Sequence, residues 1–309
     1  MTNIAVDPRA AAVEPDLASA EDLEVAERKK RLSPGAWLAI LWLAFIVVLA
    51  FGASYLPVGD PYANVAAIAR KGLFQSGHIL GGDVLGRDML ARTAFGAQHS
   101  LAISLGAIAM GFLIGGTLGL VAGYVGGKTD TFLTAIFDIL LAFPALVLAL
   151  TLVTFLKGQH LGPFDFSSQW VLVLALGLVS IPLLARITRA STLSWAQREF
   201  VLAARAQGAR STRIMFREVL PNVLPAMLAL ALLAVGIAMV AEAGLSVLGV
   251  GTPLPTPSWG NMIADGRSNL SDAPHIVFIP SIMIFLSVLS LNYLGDVIRD
   301  RFDVRESAI

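Results

Sequence analysis

Three ionisable residues inside long apolar runs are the first candidates for chemistry in this chain of 309 residues: Asp138, Glu242 and Asp296. Burying a charge away from water is expensive, so such groups are functional candidates by default. Two aspartates in apolar segments would suit an intramembrane aspartyl protease, but the required Gly-x-Gly-Asp pattern is absent. Alternatively, the carboxylates pair with arginines or backbone amides between helices. We favour pairing for Asp138 and Asp296 and leave Glu242 open.

A second candidate is Ala122–Thr129, which ends in Gly-Lys-Thr and superficially resembles a phosphate-binding loop. That loop requires a glycine where this chain has Ala122, and it follows a strand rather than a long apolar helix. We therefore interpret the segment as a turn at the end of a membrane helix. The chain has no cysteines, which excludes disulfides, thiol catalysis and cysteine-ligated metals. We expect no catalytic residue, cofactor or metal in this chain.

Composition defines the elements that must position these groups. Hydrophobic residues make up 56% of the chain and charged residues 14%, with a mean hydropathy of +0.74. A membrane core of roughly 30 Å needs about 20 apolar residues per helix. The sequence thus predicts an all-α membrane protein with six transmembrane helices. They are placed at Ala36–Leu56, Ser100–Val125, Thr131–Leu156, Trp170–Ala185, Val223–Leu248 and Ile276–Ile298.

The distribution of charge predicts the topology. The net charge is zero, which implies no general attraction to nucleic acid. Most of the 22 lysines and arginines fall in segments that are cytoplasmic if the N-terminus is inside, as the positive-inside rule requires. Residues 1–35 are then a disordered cytoplasmic tail with a basic collar at its end, and 301–309 a second cytoplasmic tail. Residues 57–99 form an extracytoplasmic loop whose last part is a surface helix, and 100–300 form the core.

Glycines and prolines mark the apolar segments. Five glycines at intervals of four form one bare stripe: Gly111, Gly115, Gly119, Gly123 and Gly127. Such a stripe lets a second helix approach closely, either within this chain or from another subunit. Prolines inside predicted spans, including Pro144, indicate kinks that suit a pathway which opens and closes, although rigid bundles also contain them.

The most informative segment is Phe200–Asn222, a water-facing loop caught between two apolar runs. Small residues at its centre, beside several arginines, predict a docking surface for a cytoplasmic partner. The loop resembles the signature of permease subunits of ABC-type importers, which is Glu-Ala-Ala, three residues, Gly, nine residues, Ile, one residue and Leu-Pro. The matching positions are Ala203, Ala204, Gly208, Leu220 and Pro221. Leu202 replaces the glutamate and Glu218 replaces the isoleucine.

Further motifs resemble the peptide-importer branch of that family, in particular the C-type subunit of dipeptide and oligopeptide permeases. In that branch the loop reads like Val201–Ala209, including Arg205 and Ala209. The other matching segments, in order, are Leu85–Asp88, Ala122–Asp130, Asp138 with Phe143-Pro144, Leu245–Gly251, Pro257–Gly260, Asn292–Asp296 and Arg299-Asp300. The likeness runs from roughly residue 37 to residue 305.

The resemblance implies a type I ABC importer permease fold in a bacterial or archaeal cytoplasmic membrane, with both termini cytoplasmic. The implied partners are a second homologous permease, two cytoplasmic ATPases that hold ATP and magnesium, an extracytoplasmic binding protein and membrane lipid. Segment 195–222 becomes the ATPase-coupling loop, with a short helix near 200–206, a turn at Gly208 and a second helix to Val219. In that helix Arg210, Arg213 and Arg217 would share one face toward lipid phosphates or ATPase carboxylates, unless they serve only positive-inside retention.

Candidates to line or gate the pathway are Asp138, Pro144, Glu242, Ser246 and Trp259. Trp259 is also expected at the membrane interface. The implied cargo is a di- or oligopeptide, with nickel chelates, glutathione or another small solute as alternatives. A self-sufficient secondary transporter would instead require internal inverted repeats, and we find none. A membrane-embedded hydrolase would need a nucleophile and a base, and the sequence contains no recognisable arrangement of this kind.

Overall fold

The computed structural model of the chain describes residues 32–55, 57–75, 77–157, 160–161, 164–165 and 168–306. The predicted N-terminal tail and its basic collar fall outside them, apart from residues 32–35. The first half of the chain contains α1 (Pro34–Gly52), a 3-10 turn (Ala66–Ile68), α2 (Met89–Val125), α3 (Gly127–Leu141) and α4 (Ala145–Leu156). Two short antiparallel strands follow, β1 (His160–Leu161) and β2 (Phe164–Asp165).

The second half continues the helical chain. Its elements are α5 (Ser168–Trp195), α6 (Glu199–Ala206), α7 (Ser211–Ile214) with a π turn (Met215–Val219), α8 (Leu220–Val247), α9 (Trp259–Gly266) with a 3-10 turn (Arg267–Asn269), and α10 (His275–Glu306). Helix α10 extends through most of the segment predicted to be a C-terminal tail. The predicted all-α membrane class is confirmed, with β1 and β2 as a small exception.

Among the described residues, five helical stretches are long and apolar enough to cross a membrane: α1, α2, α5, α7 with α8, and α10. Helices α3 and α4 pass the same test as a pair, and they are bent by 88° at a short break. Counting that pair as one broken span gives the six predicted crossings. The broken pair replaces the single straight helix that was predicted over Thr131–Leu156.

Pro144 explains the break. It is the residue immediately before α4, and its ring leaves no backbone N–H to donate into a continuing helix. Proline also disfavours helical backbone at the residue before it, here Phe143. The predicted kink at Pro144 is therefore a sharp corner that separates two shorter helices.

Glycines fasten α2 to α5. Four members of the predicted stripe face α5 of the same chain: Gly111, Gly115, Gly119 and Gly123. A Cβ atom on Gly119 would overlap the carbonyl oxygen of Ala185, and one on Gly123 would lie 2.8 Å from that of Arg189. The structure thus favours packing within the subunit over packing against a second one. Gly127 is not part of this contact, because it begins α3 with a φ of +56°.

Helix α2 begins eleven residues before the predicted span. Asp88 caps it by accepting a hydrogen bond from the backbone N–H of Ala91 at 2.9 Å. The predicted surface helix is wrong, because its first turns, including Arg92 and Thr93, are buried beneath α9 and the loop before α2. The polar side chains in this stretch hid its burial from a reading based on hydropathy.

The remaining spans pack around α8 and α10. Helix α1 lies on α10, where the Trp42 indole donates a hydrogen bond to Ser287 at 3.2 Å. Residues 196–219, together with the ends of α2, α5 and α10, define what we call the loop end of the molecule. Residues 57–75, 77–88 and 248–274 lie at the opposite end.

Candidate functional site

The loop end presents a compact helix–turn–helix. Helix α6 ends in a tight turn in which the N–H groups of Gln207, Gly208 and Ala209 return to carbonyls of α6 at 3.0 to 3.1 Å. Gly208 has a φ of +79°, a left-handed conformation that glycine adopts readily. An added Cβ there would have nothing within 4 Å, so this turn requires glycine for its backbone angle rather than for space. The predicted helix, turn and second helix are all present.

One face of α6 is anchored to the membrane helices. Val201 is fully buried, in a cluster with Leu120 of α2, Ile214 of α7 and Val223 of α8. Phe200 adds a ring contact with Trp195 at the end of α5, with centroids 6.2 Å apart. A force on α6 would therefore reach α2, α5 and α8 directly.

The other face of α6 is exposed and carries small side chains beside the larger Leu202, which is 53% exposed. Ala203 and Ala206 are exposed, and Gly208 continues this low surface into the turn. Ala204 differs from Ala203, because it is partly buried against the anchoring cluster. Of the two predicted docking alanines, only Ala203 is exposed, and the docking role of both remains a prediction.

The arginines of the loop end do not form one group. The Arg205 guanidinium lies over the Tyr124 ring, 5.3 Å from its centroid, at the end of α2. Arg210 precedes α7, whereas Arg213 lies within it and Arg217 lies in the π turn. All three are exposed, and their predicted common face remains a prediction. The π turn immediately precedes α8, in which Pro221 cannot donate to the Arg217 carbonyl.

Among the pathway candidates, Asp138 forms an ion pair with Arg186 of α5. A second pair joins the same two helices, with both oxygens of Asp130 accepting hydrogen bonds from Arg189. The expected arginine pairing of Asp138 is therefore present. Asp296 lies along a cleft of about 1020 Å³ at the loop end, together with Glu218 and Arg299.

Glu242, Ser246 and Trp259 come together in the interior. The Glu242 carboxylate accepts hydrogen bonds from Ser246 at 3.1 Å, Ser258 at 2.9 Å and Ser100 at 3.3 Å. Ser100 in turn accepts the backbone N–H of Trp259 at 3.0 Å. This cluster joins α2, α8 and α9, and all its members are buried. A gating role for it remains a prediction.

The expected place of Trp259 at the membrane interface is wrong. Its ring is fully buried, and its indole N–H donates to the carbonyl oxygen of Thr93 at 3.0 Å. A Cβ atom on Gly96 would lie 3.0 Å from that ring, so α2 and α9 meet closely here. Tryptophan next to proline and glycine in a loop does not by itself distinguish a buried anchor from a surface one.

A buried charge network at the opposite end was not predicted. Arg87 donates to Asp83 at 2.5 Å, Arg92 lies 3.3 Å from the same carboxylate, and Arg87 also reaches Asp265 of α9 at 3.5 Å. Burial raises the pKa of the Asp265 carboxyl above its usual range, although nearby Arg87 opposes the shift. The network ties the loop before α2 to α2 and α9. Its sequence signal was the Leu-Gly-Arg-Asp motif, which contains Arg87.

These features define a polytopic membrane protein that has an exposed helical loop anchored at one end of the molecule. The chain belongs to the family described as binding-protein-dependent transport system inner membrane component, which matches residues 115–307. It is 37% identical to the dipeptide transport system permease protein DppC of Alkalihalophilus pseudofirmus over 86% of this chain and 85% of that one. It is 36% identical to the glutathione transport system permease protein GsiD of Pectobacterium atrosepticum over 85% and 84%.

Solved structures show the same fold. A chain of the MetNI methionine ABC transporter, in an inward-facing conformation, superimposes with a TM-score of 0.55 at 20% identity. The match covers 68% of this chain and 96% of the other. The type I importer permease fold expected from the resemblance is confirmed.

Proposed function

We propose that this chain is one permease subunit of an ATP-driven importer of di- or oligopeptides. A second permease completes the pathway, two cytoplasmic ATPases drive it, and an extracytoplasmic binding protein delivers the cargo. The observation that carries the proposal is α6 with its Gly208 turn, anchored on one face and exposed on the other. The peptide-transport names of several relatives support the cargo class.

The topology follows from charge. The loop end carries Arg205, Arg210, Arg213 and Arg217, and an excess of basic residues favours the cytoplasmic side. Both termini then lie in the cytoplasm, and residues 57–88 and 248–274 face the binding protein. A direct test is a Leu254→Cys variant, because Leu254 is exposed and the native chain has no cysteine. Labelling by a membrane-impermeant thiol reagent added only outside is expected, and labelling only from the cytoplasm contradicts this topology.

Coupling follows from the anchoring of α6. When the ATPases close on ATP, α6 moves with the ATPase surface on which it is docked. The cluster around Val201 transmits that motion to α2 and α8. The pathway then alternates between its two sides. ATP and magnesium are bound by the ATPase subunits, and this chain contributes no catalytic group.

The coupling test uses Ala203→Asp in the assembled transporter. An added carboxylate on an exposed helical alanine costs the isolated subunit little, but at a tight docking surface it must be desolvated, at several kcal/mol. We expect the ATPases to dissociate during purification, or to hydrolyse ATP without import. The matched control is an Arg210/Arg213/Arg217 triple glutamine variant. Normal import by Ala203→Asp alongside failure of the triple variant would show that the loop is only an arginine-rich topological anchor.

Glutathione is the second candidate cargo, because relatives of comparable identity are named as glutathione permeases. It is itself a short peptide with free charged ends, so one pathway could serve both. ATP-dependent uptake of radiolabelled trialanine and glutathione into proteoliposomes, with the native binding protein, separates them. Uptake of neither solute would reject the peptide assignment.

A further inference from the structure

Helix α3 has a polar edge that faces α5. Asp130, Thr134 and Asp138 follow at intervals of four residues, and therefore lie along one side of the helix over about 12 Å. Arg189 binds Asp130, and Arg186 binds Asp138. A separate edge of α3 carries the exposed apolar residues Phe132, Ile136 and Ile139.

The two ion pairs differ in exposure. The Asp130 and Arg189 side chains are 19% and 28% exposed, whereas those of Asp138 and Arg186 are 52% and 56% exposed. The geometry differs as well. Arg189 uses two nitrogens to bind two oxygens of Asp130, while Arg186 reaches Asp138 through one nitrogen and one oxygen. A singly joined arginine and carboxylate can each bind a further charged group.

The more exposed pair joins two elements that are long and apolar enough to span a membrane, α5 alone and α3 as part of the broken pair. Asp138 is eleven residues from the start of α3 at the loop end, and Arg186 is nine residues from the end of α5 there. These separations correspond to about 16 Å and 14 Å along the helices, so the pair lies roughly three helical turns from the loop end. Charged side chains within a membrane span face water or protein rather than lipid. The polar edge of α3 therefore suits water, and the edge with Ile139 suits lipid.

An apolar groove adjoins the pair. It has a volume of about 460 Å³ and is lined by Leu140 and Leu141 of α3, Leu183 of α5 and Ile237 of α8. Leu183 lies one helical turn from Arg186, and Leu141 lies one helical turn from Asp138, so each charged residue is next to a residue that lines the groove. The volume falls within the range of about 300–1,000 Å³ that is usual for small-ligand sites. Opposite charges thus stand at the edge of an apolar groove.

We propose that Asp138, Arg186 and this groove form a cargo subsite that binds a short peptide with free ends. Asp138 binds the peptide ammonium, Arg186 binds the peptide carboxylate, and an apolar side chain enters the groove. Without cargo the two residues neutralise each other, so the exchange of partners leaves no isolated charge in the membrane. The inference rests on the proposed function for its cargo class.

The test uses a cysteine reporter in the assembled complex, in lipid nanodiscs without nucleotide. Leu183→Cys places a thiol in the groove, and Ile139→Cys places one on the neighbouring apolar edge at similar depth. We expect a water-soluble thiol reagent to label Leu183→Cys at least about tenfold faster than Ile139→Cys, because only the groove reaches water. Millimolar trialanine should slow labelling of Leu183→Cys, whereas N-acetyl-trialanine amide, which lacks charged ends, should not.

Second variants assign the effect to the pair. Adding Arg186→Gln or Asp138→Asn to Leu183→Cys should abolish protection by trialanine, whereas adding Arg189→Gln should leave it. Equal labelling of the two reporters, equal protection by both peptides, or protection that survives loss of either charge would each overturn the subsite. The subsite would also be overturned if Arg186→Gln and Asp138→Asn imported peptide with the same dependence on peptide concentration as the native complex. That result would leave the proposed function intact. Failure of the native complex to import peptides would reject the proposed function instead.

Discussion

The two ends of the molecule handle polar groups in opposite ways. At the opposite end, Asp83, Arg87 and Arg92 are almost completely buried and paired, and Glu242 is enclosed by serine hydroxyls. At the loop end, α6 exposes alanines beside Arg210 and Arg213, which are also exposed. Buried, paired polar groups hold one arrangement of helices, whereas an exposed surface exchanges its contacts with a partner. We therefore expect the opposite end to act as a rigid frame and the loop end to be the contact that moves.

The largest expected effect comes from Arg87→Ala. Removing this arginine takes away the 2.5 Å partner of buried Asp83. Breaking a buried ion pair in this way costs about 3–5 kcal/mol, so the purified complex should melt at a clearly lower temperature. Exposed Lys71 supplies the control, since Lys71→Ala should change stability by about 0.5 kcal/mol or less. Equal melting temperatures for the two variants would show that the frame does not depend on its charge network.

A smaller loss is expected for Glu242→Ala. The variant leaves the hydroxyls of Ser100, Ser246 and Ser258 without their shared acceptor in a buried site, at about 1–3 kcal/mol. Glu242→Gln should recover part of this loss, because it keeps the shape and one acceptor oxygen. The melting temperatures of the two variants are compared by heating samples and measuring the remaining folded protein by size-exclusion chromatography. If Glu242→Gln melts normally but import fails, Glu242 belongs to the gate and the contrast between the two ends must be redrawn.

The smallest effect on stability is expected at the loop end, with Gly208→Ala. A side chain at a φ of +79° strains the turn by about 1–2 kcal/mol, but α6 remains held by the Val201 cluster. The global melting temperature should hardly move, while retention of the ATPases should fall. Gly208→Asn is the matched control, because asparagine tolerates this backbone region better. A melting temperature lowered as far as that of Arg87→Ala would contradict the division between frame and moving contact.

Much of the fold could be predicted because hydrocarbon imposes a simple rule on sequence. Apolar runs located every span, although α2 begins eleven residues before its predicted start, α5 ends ten residues after its predicted end, and the third span is broken. The small residues with Gly208 located the loop. The errors arose where polar residues are buried. Arg92 and Thr93 concealed the first turns of α2, and Trp259 entered the interior because Gly96 leaves room for its ring. Local hydropathy predicts neither the burial of Arg92 and Thr93 nor that of Trp259.

The sequence by itself determined the class of protein, the number of crossings and the position of the loop, because each depends on residues that are close in the chain. Tertiary structure alone decided that the glycine stripe binds α5, that Ala203 and not Ala204 faces outward, and that Asp138 meets Arg186. Each of these depends on which helices become neighbours and how they are rotated. A helix carries the same side chains at every rotation, and only packing against its neighbours selects the face that is buried.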